Sequence, residues 1–356
     1  MSFKCGIVGL PNVGKSTTFN ALTKSRNAEA ANFPFCTIEP NIGVVKVPDN
    51  RLNNISKIAK SEKTINTLIT FVDIAGLVQG ASKGEGLGNK FLSHIREVDA
   101  IVHLLRCFDS TDIQNVNKKV DPTRDLEIIE TELMLADLES LEKRMNKRKN
   151  KLEDEDFNGF LFKAYKCLEK GNSIHHLRNE YNEKIISMSN LLSLKPKIIV
   201  CNTDENSING NNYTRDVINK NKNEEILFIS AEIEQQINDL EQLDAKDFMN
   251  EIGLKETGLD RLIKSSYKSL NLCTYFTAGP LETRAWTVKK NSKAPDAAEV
   301  IHTDFKKGFI KAEVISYQDY VRFSGETGCK ENGKLRIEGK DYEIQDGDIL
   351  HFRFNT

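Results

Sequence analysis

The segment that most constrains what this chain can fold into is residues 9–16, which fit the phosphate-binding loop pattern G-x-x-x-x-G-K-S/T at every fixed position. A short apolar run at residues 4–8 precedes the loop, and residues 16–22 favour a helix. In the order strand, glycine-rich loop and helix, backbone N–H groups and the positive end of the helix dipole converge on a polyphosphate. The sequence therefore predicts an α/β domain that binds a nucleotide.

The side chains of this loop have distinct expected roles. Lys15 can reach the β- and γ-phosphates and stabilise the charge that develops during hydrolysis, and the Ser16 hydroxyl can ligate Mg²⁺. Glycines at positions 9 and 14 allow backbone conformations and a close approach that a side chain would block. The residues expected to contact the nucleotide here are Asn12, Val13, Gly14, Lys15, Ser16 and Thr17.

Length and composition exclude several classes of protein. At 356 residues the chain is long enough for two or three domains, and its formal net charge of −2 gives no general attraction to nucleic acid. The seven cysteines include no C-x-x-C pair, so neither a disulfide framework nor a zinc site is indicated. No apolar run approaches the roughly 18 residues that span a bilayer, and the first strand starts too near Met1 for a signal peptide. We therefore expect a cytoplasmic protein.

A second predicted strand, at residues 68–73, ends in an acidic residue. Asp73 opens a D-x-x-G pattern, which places Asp73 to hold Mg²⁺ and Gly76 to offer its N–H group to the γ-phosphate. Five glycines fall between positions 76 and 88. This stretch is either a flexible connection or a switch that becomes ordered when the γ-phosphate is present, and its origin directly after Asp73 favours the switch.

The stretch between these two segments, residues 32–40, is bracketed by Pro34 and Pro40 and is predicted to be a loop. In GTPases the first switch carries a threonine that closes over Mg²⁺ and the γ-phosphate. Thr37 is the candidate for that role and for a metal ligand.

The base pocket is predicted after another apolar strand, residues 197–201. GTPases carry N-K-x-D at this place, where the aspartate accepts hydrogen bonds from both guanine donors and the lysine stem covers the ring. This chain keeps Asn202 but has Thr203 in place of the lysine and Glu205 in place of the aspartate. The change weakens the case for guanine without excluding it, and it leaves adenine open.

Ser230 and Ala231 match the short S-A segment whose backbone completes the base pocket in GTPases. Together with the phosphate loop, the D-x-x-G segment and the N-x-x-E segment, they resemble the YchF (Obg-like ATPase) family of P-loop proteins. Residues 33–41, 80–91, 271–279 and 302–310 also read like that family, so the resemblance covers essentially the whole chain.

The resemblance implies an α/β fold with three parts. A P-loop G domain of the OBG type, with a mostly parallel sheet, takes residues 1–120 and 196–272. An α-helical hairpin of coiled-coil character is inserted at 121–195, and a TGS domain of β-grasp shape takes 273–356. The resemblance further implies a preference for ATP over GTP, with Asn202 and Glu205 as the variant base motif, and association with ribosomes.

Residues 121–195 show the pattern of amphipathic helices. Apolar side chains recur at intervals of three and four from Leu126 to Met145, and further helical stretches are predicted at 160–168 and 174–192. These helices either present a solvated basic surface or contact the phosphates of ribosomal RNA near their tip. The basic residues concerned are Lys143, Arg144, Lys147, Arg148, Lys149 and Lys151.

The C-terminal part is predicted to be rich in strands, with basic and acidic residues in balance, so it is not a basic nucleic-acid domain. The strands are expected at 282–288, 308–316 and 334–354, and a helix at 297–305. Its aromatic residues are interpreted as core rather than as platforms for stacked bases; they are Trp286, Tyr317, Tyr320 and Phe323.

The residue that orients the attacking water is less evident. Ras-type enzymes use a glutamine directly after D-x-x-G, where this chain has Leu77. The family is sometimes assigned a histidine within an I-x-H-V pattern, but this chain places Asn115 there, and an asparagine cannot act as a general base. Asn115 is left as the candidate for positioning water, because His94 and His103 are interpreted as structural. Hydrolysis is therefore expected to be slow without a partner.

Asn12 raises the question of a second cation. An asparagine at this place resembles that of potassium-activated relatives, in which K⁺ supplies the charge that an arginine finger would otherwise bring. The alternative is that Asn12 only stabilises the turn of the loop.

The sequence is best explained by a Mg²⁺-dependent ATPase that acts as a ribosome-associated nucleotide switch. The expected partners are ATP and ribosomal RNA of the large subunit, with no membrane, no DNA and a monomeric state. Two alternatives stay open: a GTPase on the same fold, and a non-hydrolysing module that binds ATP as a regulatory ligand. A small-molecule kinase fits poorly, because neither an acceptor site nor a lid is indicated.

Overall fold

The structure, a computed structural model, describes residues 3–26, 42–74, 87–109, 119–147, 155–222 and 224–355. The strands in these ranges are β1 (Lys4–Val8), β2 (Ile42–Lys46), β3 (Lys63–Ile65), β4 (Leu68–Asp73), β5 (Ala100–Arg106), β6 (Lys197–Asn202), β7 (Glu225–Ile229), β8 (Leu272–Ala278), β9 (Glu282–Lys289), β10 (Phe309–Ile315), β11 (Arg336–Glu338) and β12 (Ile349–Phe354).

The α-helices in the same ranges are α1 (Lys15–Arg26), α2 (Asn50–Ala59), α3 (Leu87–Arg96), α4 (Pro122–Lys147), α5 (Glu155–Glu169), α6 (Glu183–Ser189), α7 (Asn212–Lys220), α8 (Ala231–Asp239), α9 (Gln242–Glu251), α10 (Gly258–Ser269), α11 (Ala294–Ile301), α12 (Thr303–Lys307), α13 (Tyr317–Arg322) and α14 (Glu326–Glu331). None of these described helices combines the length and the apolar character needed to cross a membrane.

The first sheet has the strand order β2-β4-β1-β5-β6-β7. β2 runs antiparallel to β4, and the other neighbouring pairs are parallel. β5 is buried along its whole length, and β6 is buried at every residue after the first. Such continuous burial is typical of parallel strands that are covered on both faces. The predicted α/β fold with a mostly parallel sheet is confirmed.

The carboxyl ends of these parallel strands bring predicted site residues to one edge of the sheet. β1 leads into residues 9–14, β4 ends at Asp73, β6 ends at Asn202, and β7 leads into Ser230. Ligands of open α/β sheets bind outside this edge. The topology therefore brings together segments that lie between residues 9 and 230 of the sequence.

A helical region with its own apolar core follows β5. α4 packs against α5, and short helices close the core. The buried side chains are Leu141, Phe157, Phe160, Leu161, Ala164, Leu168, Ile174, Leu177, Ile185, Ile186, Leu191 and Leu194. The basic residues predicted near the tip are only partly described: Lys143 pairs with Glu139, and Arg144 donates to the Ser189 carbonyl oxygen at 2.5 Å.

The third predicted helix of this region, at 174–192, is wrong as a continuous element. The chain there forms a 3₁₀ helix at His175–Asn179 and then α6. The Asn182 side chain accepts from the Ile185 N–H at 2.9 Å and so caps a new helix start. Asn190 ends α6 with a left-handed φ of 53°, a conformation that asparagine tolerates better than most residues. The capping residues Asn182 and Asn190 therefore divide a segment that the spacing of apolar residues alone predicts as one helix.

The second sheet has the strand order β11-β10-β12-β8-β9-β3. α11 covers it with the small buried side chains of Ala294, Ala297 and Ala298. The Tyr275 hydroxyl on β8 donates to the Ala297 carbonyl oxygen at 2.8 Å, which fixes the helix on the sheet. The four aromatic residues predicted to be core lie partly or fully buried in the two apolar clusters of this region.

One edge strand of this second sheet comes from the range that was expected to belong to the G domain. β3 pairs in parallel with β9, and Leu52 and Ile55 of α2 are buried in the same cluster as Phe276. The Ser61 hydroxyl donates to the Gly279 carbonyl oxygen at 2.7 Å. Residues 50–65 therefore pack as part of the second sheet, although they lie between β2 and β4 of the first. Apolar periodicity does not show which sheet a short strand joins.

Arg51, at the start of α2, adds a charged contact between the same two regions. Its Nη2 atom lies 2.8 Å from Asp49 Oδ2, and its Nη1 atom lies 2.6 Å from Asp346 Oδ2. The guanidinium carbon is 5.4 Å from the centre of the Phe276 ring. Asp346 in turn accepts from the Thr274 N–H on β8 at 2.9 Å. A planar group with several donors suits a position between two carboxylates and a ring.

We expect Arg51→Ala to lower the free energy of unfolding by about 1–2 kcal/mol, because two carboxylates lose a partly buried partner. Urea denaturation measures the change. Arg215→Ala removes an exposed arginine from α7 and is the matched control. Equal stability losses for the two variants would contradict a structural role for the Arg51 contacts.

Candidate nucleotide site

The loop between β1 and α1 has a backbone shape that needs glycine. Asn12 and Gly14 have positive φ angles of 65° and 89°. A Cβ atom on Gly14 would lie 2.2 Å from Asn202 Nδ2, and one on Gly9 would lie 2.7 Å from the Leu104 carbonyl oxygen. The two fixed glycines of the motif are therefore required by contacts within the protein, before any ligand binds.

The first turn of α1 is suited to an anion. The helix begins at Lys15, has no acidic residue in its first turn, and makes a hydrogen bond from Thr18 N to Gly14 O at 2.9 Å. Ser16 and Thr17 are exposed at this end. The first N–H groups of a helix have no partner within the helix, and with the helix dipole they create a positive potential.

Lys15 and Asp73 form an ion pair, and each side chain is 13% exposed. The pairing follows from the sheet, since Ile7 lies opposite Asp73 in the parallel register of β1 and β4. Each charge is compensated in a partly buried place, where an isolated charge would be costly. A bound polyphosphate can replace Asp73 as the partner of Lys15. The Asp73 oxygens then become available to a cation.

The Asn202 side chain joins the phosphate loop, residues 9–16, to the start of α8. Its Nδ2 atom donates to the Val13 carbonyl oxygen at 2.9 Å, and its Oδ1 atom accepts from the Ala231 N–H at 3.0 Å. Asn202 is only 4% exposed, so both bonds are shielded from water. A side-chain amide can both donate and accept, which this place requires. Asn202 therefore sets the spacing between the two halves of the site.

Ser230 and Ala231 form the start of α8 and are buried. Ser230 caps the helix, because its Oγ atom accepts from the Ile233 N–H at 3.5 Å. Further along, the buried Glu234 carboxylate accepts from the Gly258 N–H at 2.6 Å. Burial raises the pKa of Glu234 to about 7, against the opposing effect of the N–H groups of α10. These contacts fix the start of α8 beside Asn202.

The two altered positions of the base motif have different surroundings. Thr203 is 3% exposed, its N–H donates to the Ile229 carbonyl oxygen at 2.9 Å, and its hydroxyl has no hydrogen-bond partner among the described residues. Glu205 is exposed at the start of a 3₁₀ helix at Glu205–Ser207, and its Oε1 atom accepts from Nε2 of Gln236 on α8. Gln236 was not among the residues predicted from the sequence, because its contact with Glu205 joins residues that lie far apart along the chain.

The two histidines considered in the sequence analysis have different surroundings. His103 is 1% exposed within β5, and burial lowers its pKa to about 3, with the nearby Lys197 adding to the effect. A neutral, enclosed imidazole suits the core interpretation. His94 is exposed on α3.

Three predicted site residues, Thr37, Gly76 and Asn115, lie outside the described residues, as does Leu77. Among the described residues, no group of three or more His, Cys, Asp and Glu side chains could hold a metal by itself. The Ser16 hydroxyl and Asp73 carboxylate are the hard oxygen ligands that Mg²⁺ prefers. This ion commonly takes few protein ligands, with phosphate oxygens and water completing its shell. The donor set therefore fits Mg²⁺ bound together with a nucleotide.

Comparison with known proteins gives full-length matches. The ribosome-binding ATPase YchF of Haemophilus ducreyi is 52% identical over 364 residues, and that of Bacillus subtilis is 47% identical over 369 residues; both alignments cover 100% of each chain. The chain belongs to the YchF family. Family models agree: residues 272–355 match the YchF GTPase C-terminal domain, described as a protein of unknown function, and residues 4–136 match the 50S ribosome-binding GTPases.

Solved structures support the YchF assignment. The YchF GTPase of Schizosaccharomyces pombe superposes with a TM-score of 0.86 at 36% identity, covering 99% of this chain and 98% of that chain. A GTP-binding protein from Pyrococcus horikoshii has a TM-score of 0.60 at 19% identity, covering 99% of this chain and 100% of that chain, and shows the fold alone. The resemblance to the YchF family that was read from the sequence is confirmed.

We expect Asn202→Ala to weaken nucleotide binding by at least about tenfold, because the phosphate loop and the start of α8 lose the side chain that holds them together. The buried carbonyl and N–H left without partners also lower the stability of the fold, by about 1–3 kcal/mol each. Titration calorimetry with ATP and Mg²⁺ measures the effect. Asn206→Ala, an exposed asparagine four residues along, is the matched control. Wild-type affinity in the Asn202 variant would contradict the role of this amide in spacing the site.

Proposed function

We propose that this chain is a nucleoside-triphosphate hydrolase that uses Mg²⁺-ATP and acts as a ribosome-associated nucleotide switch. The observation that carries the proposal is the phosphate loop at the start of α1, with Lys15 facing Asp73 at the adjacent strand end. This arrangement is suited to hold a triphosphate and a hard cation side by side. The full-length relatives named ribosome-binding ATPases supply the context.

The residues of the loop have defined tasks in this proposal. Lys15 leaves Asp73 and binds the β- and γ-phosphates, where its charge stabilises the negative charge of the transition state. Backbone N–H groups of Asn12, Val13 and Gly14, and of Ser16 and Thr17 in the first helical turn, surround the phosphates. Mg²⁺, when bound, would neutralise part of the negative charge of the phosphates. Ser16 and Asp73, with Thr37, would hold it.

Three assignments in the catalytic step rest on the sequence. Gly76 offers its N–H to the γ-phosphate, Asn115 positions the attacking water, and Leu77 leaves the site without a Ras-type glutamine. Turnover of the isolated protein is therefore expected to be slow. Potassium activation through Asn12 is a further proposal, supported by the exposed, positive-φ position of Asn12 in the loop.

The base is proposed to be adenine. The names of the relatives include both ATPase and GTPase. The choice between adenine and guanine therefore depends on residues 202–205 and their contacts. Thr203 provides no long stem to cover a guanine ring, and the Glu205 carboxylate is already hydrogen-bonded to Gln236. Asn202, Ser230 and Ala231 frame the pocket. A GTPase on the same fold is the alternative that this arrangement disfavours.

We further propose the domain limits 1–120 and 196–272 for the G domain, 121–195 for the helical insertion and 273–356 for the TGS domain. Residues 50–65 are the exception, since they pack on the second sheet. Contact with large-subunit ribosomal RNA, a monomeric state and a cytoplasmic location belong to the same proposal. The ribosome-binding names of the relatives support the ribosomal part of it.

The test combines binding and turnover. Titration calorimetry with Mg²⁺ and K⁺ should show ATP binding at least about tenfold tighter than GTP, or about 1.4 kcal/mol. Single-turnover hydrolysis of ATP should be slow and should accelerate when ribosomes are added. Lys15→Ala, which removes the phosphate-binding ammonium group, should abolish turnover.

Each part of the proposal has its own contrary result. Equal or tighter GTP binding would make the protein a GTPase. ATP binding without hydrolysis, with and without ribosomes, would make it a regulatory module. Unchanged turnover in Lys15→Ala would place the chemistry elsewhere.

A further inference from the structure

We propose that Gln236 is a positioning residue that sets the base preference of the site by holding the Glu205 carboxylate. The inference rests on the proposed function, because it assumes that the base of a bound nucleotide lies beside Glu205. In the described part of the chain, the bond from Gln236 Nε2 to Glu205 Oε1 is the one hydrogen bond that the Glu205 side chain makes. No residue of the N-x-x-E motif itself supplies this contact.

Gln236 lies on a helix that is anchored on both sides of it. At the start of α8, Ala231 is held by Asn202 at 3.0 Å. Two residues before Gln236, the Glu234 carboxylate accepts from the Gly258 N–H at 2.6 Å. Two residues after it, Asn238 Nδ2 donates to the Ala21 carbonyl oxygen of α1 at 2.8 Å. The donor of Gln236 is therefore presented from a rigid element.

Glu205, in contrast, is held weakly by its own segment. It starts a 3₁₀ helix of three residues, Glu205–Ser207, and its side chain is exposed. The cap of this helix comes from Asp204, whose Oδ1 accepts from the Asn206 N–H at 3.0 Å. The backbone turn is thereby fixed, but several rotatable bonds of the Glu205 side chain are not. Gln236 selects among these rotamers.

Guanine and adenine differ in the hydrogen-bond acceptors that they require. The contact between Gln236 and Glu205 affects which acceptors the Glu205 carboxylate offers. Guanine presents two adjacent donors, N1–H and N2–H₂, which call for both oxygens of one carboxylate. Adenine presents one exocyclic amino group and needs a single acceptor. Each carboxylate oxygen has more than one lone pair, so the Gln236 amide does not exhaust Oε1, but it fixes the orientation of the Glu205 carboxylate and leaves Oε2 as the open acceptor. The pair therefore suits adenine, which needs one acceptor, and disfavours guanine, which needs both oxygens aligned with its two donors.

The choice of glutamine also has a physical reason. A lysine or arginine at position 236 would compensate the charge of Glu205 and weaken it as an acceptor. An amide donates a hydrogen bond without adding a positive charge. A second carboxylate would repel Glu205 instead of holding it.

The test is the ratio of ATP to GTP affinity in Gln236→Leu, measured by titration calorimetry with Mg²⁺. Removal of the donor frees Glu205, so GTP affinity should rise relative to ATP, and the ratio should shift toward GTP by about tenfold, within the range of one hydrogen bond in a recognition site. Gln235→Leu, the adjacent exposed glutamine, is the matched control and should leave the ratio unchanged. Gln236→Ala repeats the test with a residue that favours helices.

A double variant decides whether the effect passes through Glu205. In Glu205→Ala, the further change Gln236→Leu should no longer alter the ratio. A ratio that Gln236→Leu leaves at the wild-type value, or an equal loss of both nucleotides, would overturn the inference. This outcome differs from failure of the proposed function, which is read from the preference of the wild-type protein alone.

Discussion

The buried amide of Asn202 is the contact on which the arrangement of the nucleotide site depends. It bonds the carbonyl oxygen of Val13 in the phosphate loop and the N–H of Ala231 at the start of α8. The same amide explains why position 14 must lack a Cβ atom, since one there would lie 2.2 Å from Nδ2. The phosphate loop and the start of α8, where the base pocket is predicted, are thus held at one spacing by a single side chain.

A second constraint links the site to the rest of the molecule. β2 follows the predicted first switch, and β4 ends at Asp73, yet α2 and β3 between them are packed on the second sheet. Ser61 and Arg51 attach this connection to β8, β9 and Asp346. The two strands that border the predicted phosphate sensors are therefore joined through a segment that belongs structurally to the C-terminal part. The chain therefore connects these two strands through residues that pack on the second sheet.

Much of the site could be predicted from the sequence, because its motifs are local and are read in the context of a strand and a helix. Residues 9–16, Asp73 and Asn202 all lie at the strand ends where the motifs placed them. The division of the predicted 174–192 helix was missed because apolar spacing runs through the segment, while the break depends on the capping residues Asn182 and Asn190. Pairing of β3 with β9 and the contact of Gln236 with Glu205 join residues that lie far apart in sequence. Such pairings are chosen by packing of the whole chain, which leaves no periodic signal in either segment.

The most direct test of the roles proposed for Lys15 and Asn202 is a crystal structure with Mg²⁺ and a non-hydrolysable ATP analogue. We expect Lys15 to have moved from Asp73 to the phosphates, while Asn202 keeps its bonds to Val13 and Ala231. A bound nucleotide with the Lys15–Asp73 pair intact, or with the Asn202 bonds broken, would contradict these roles.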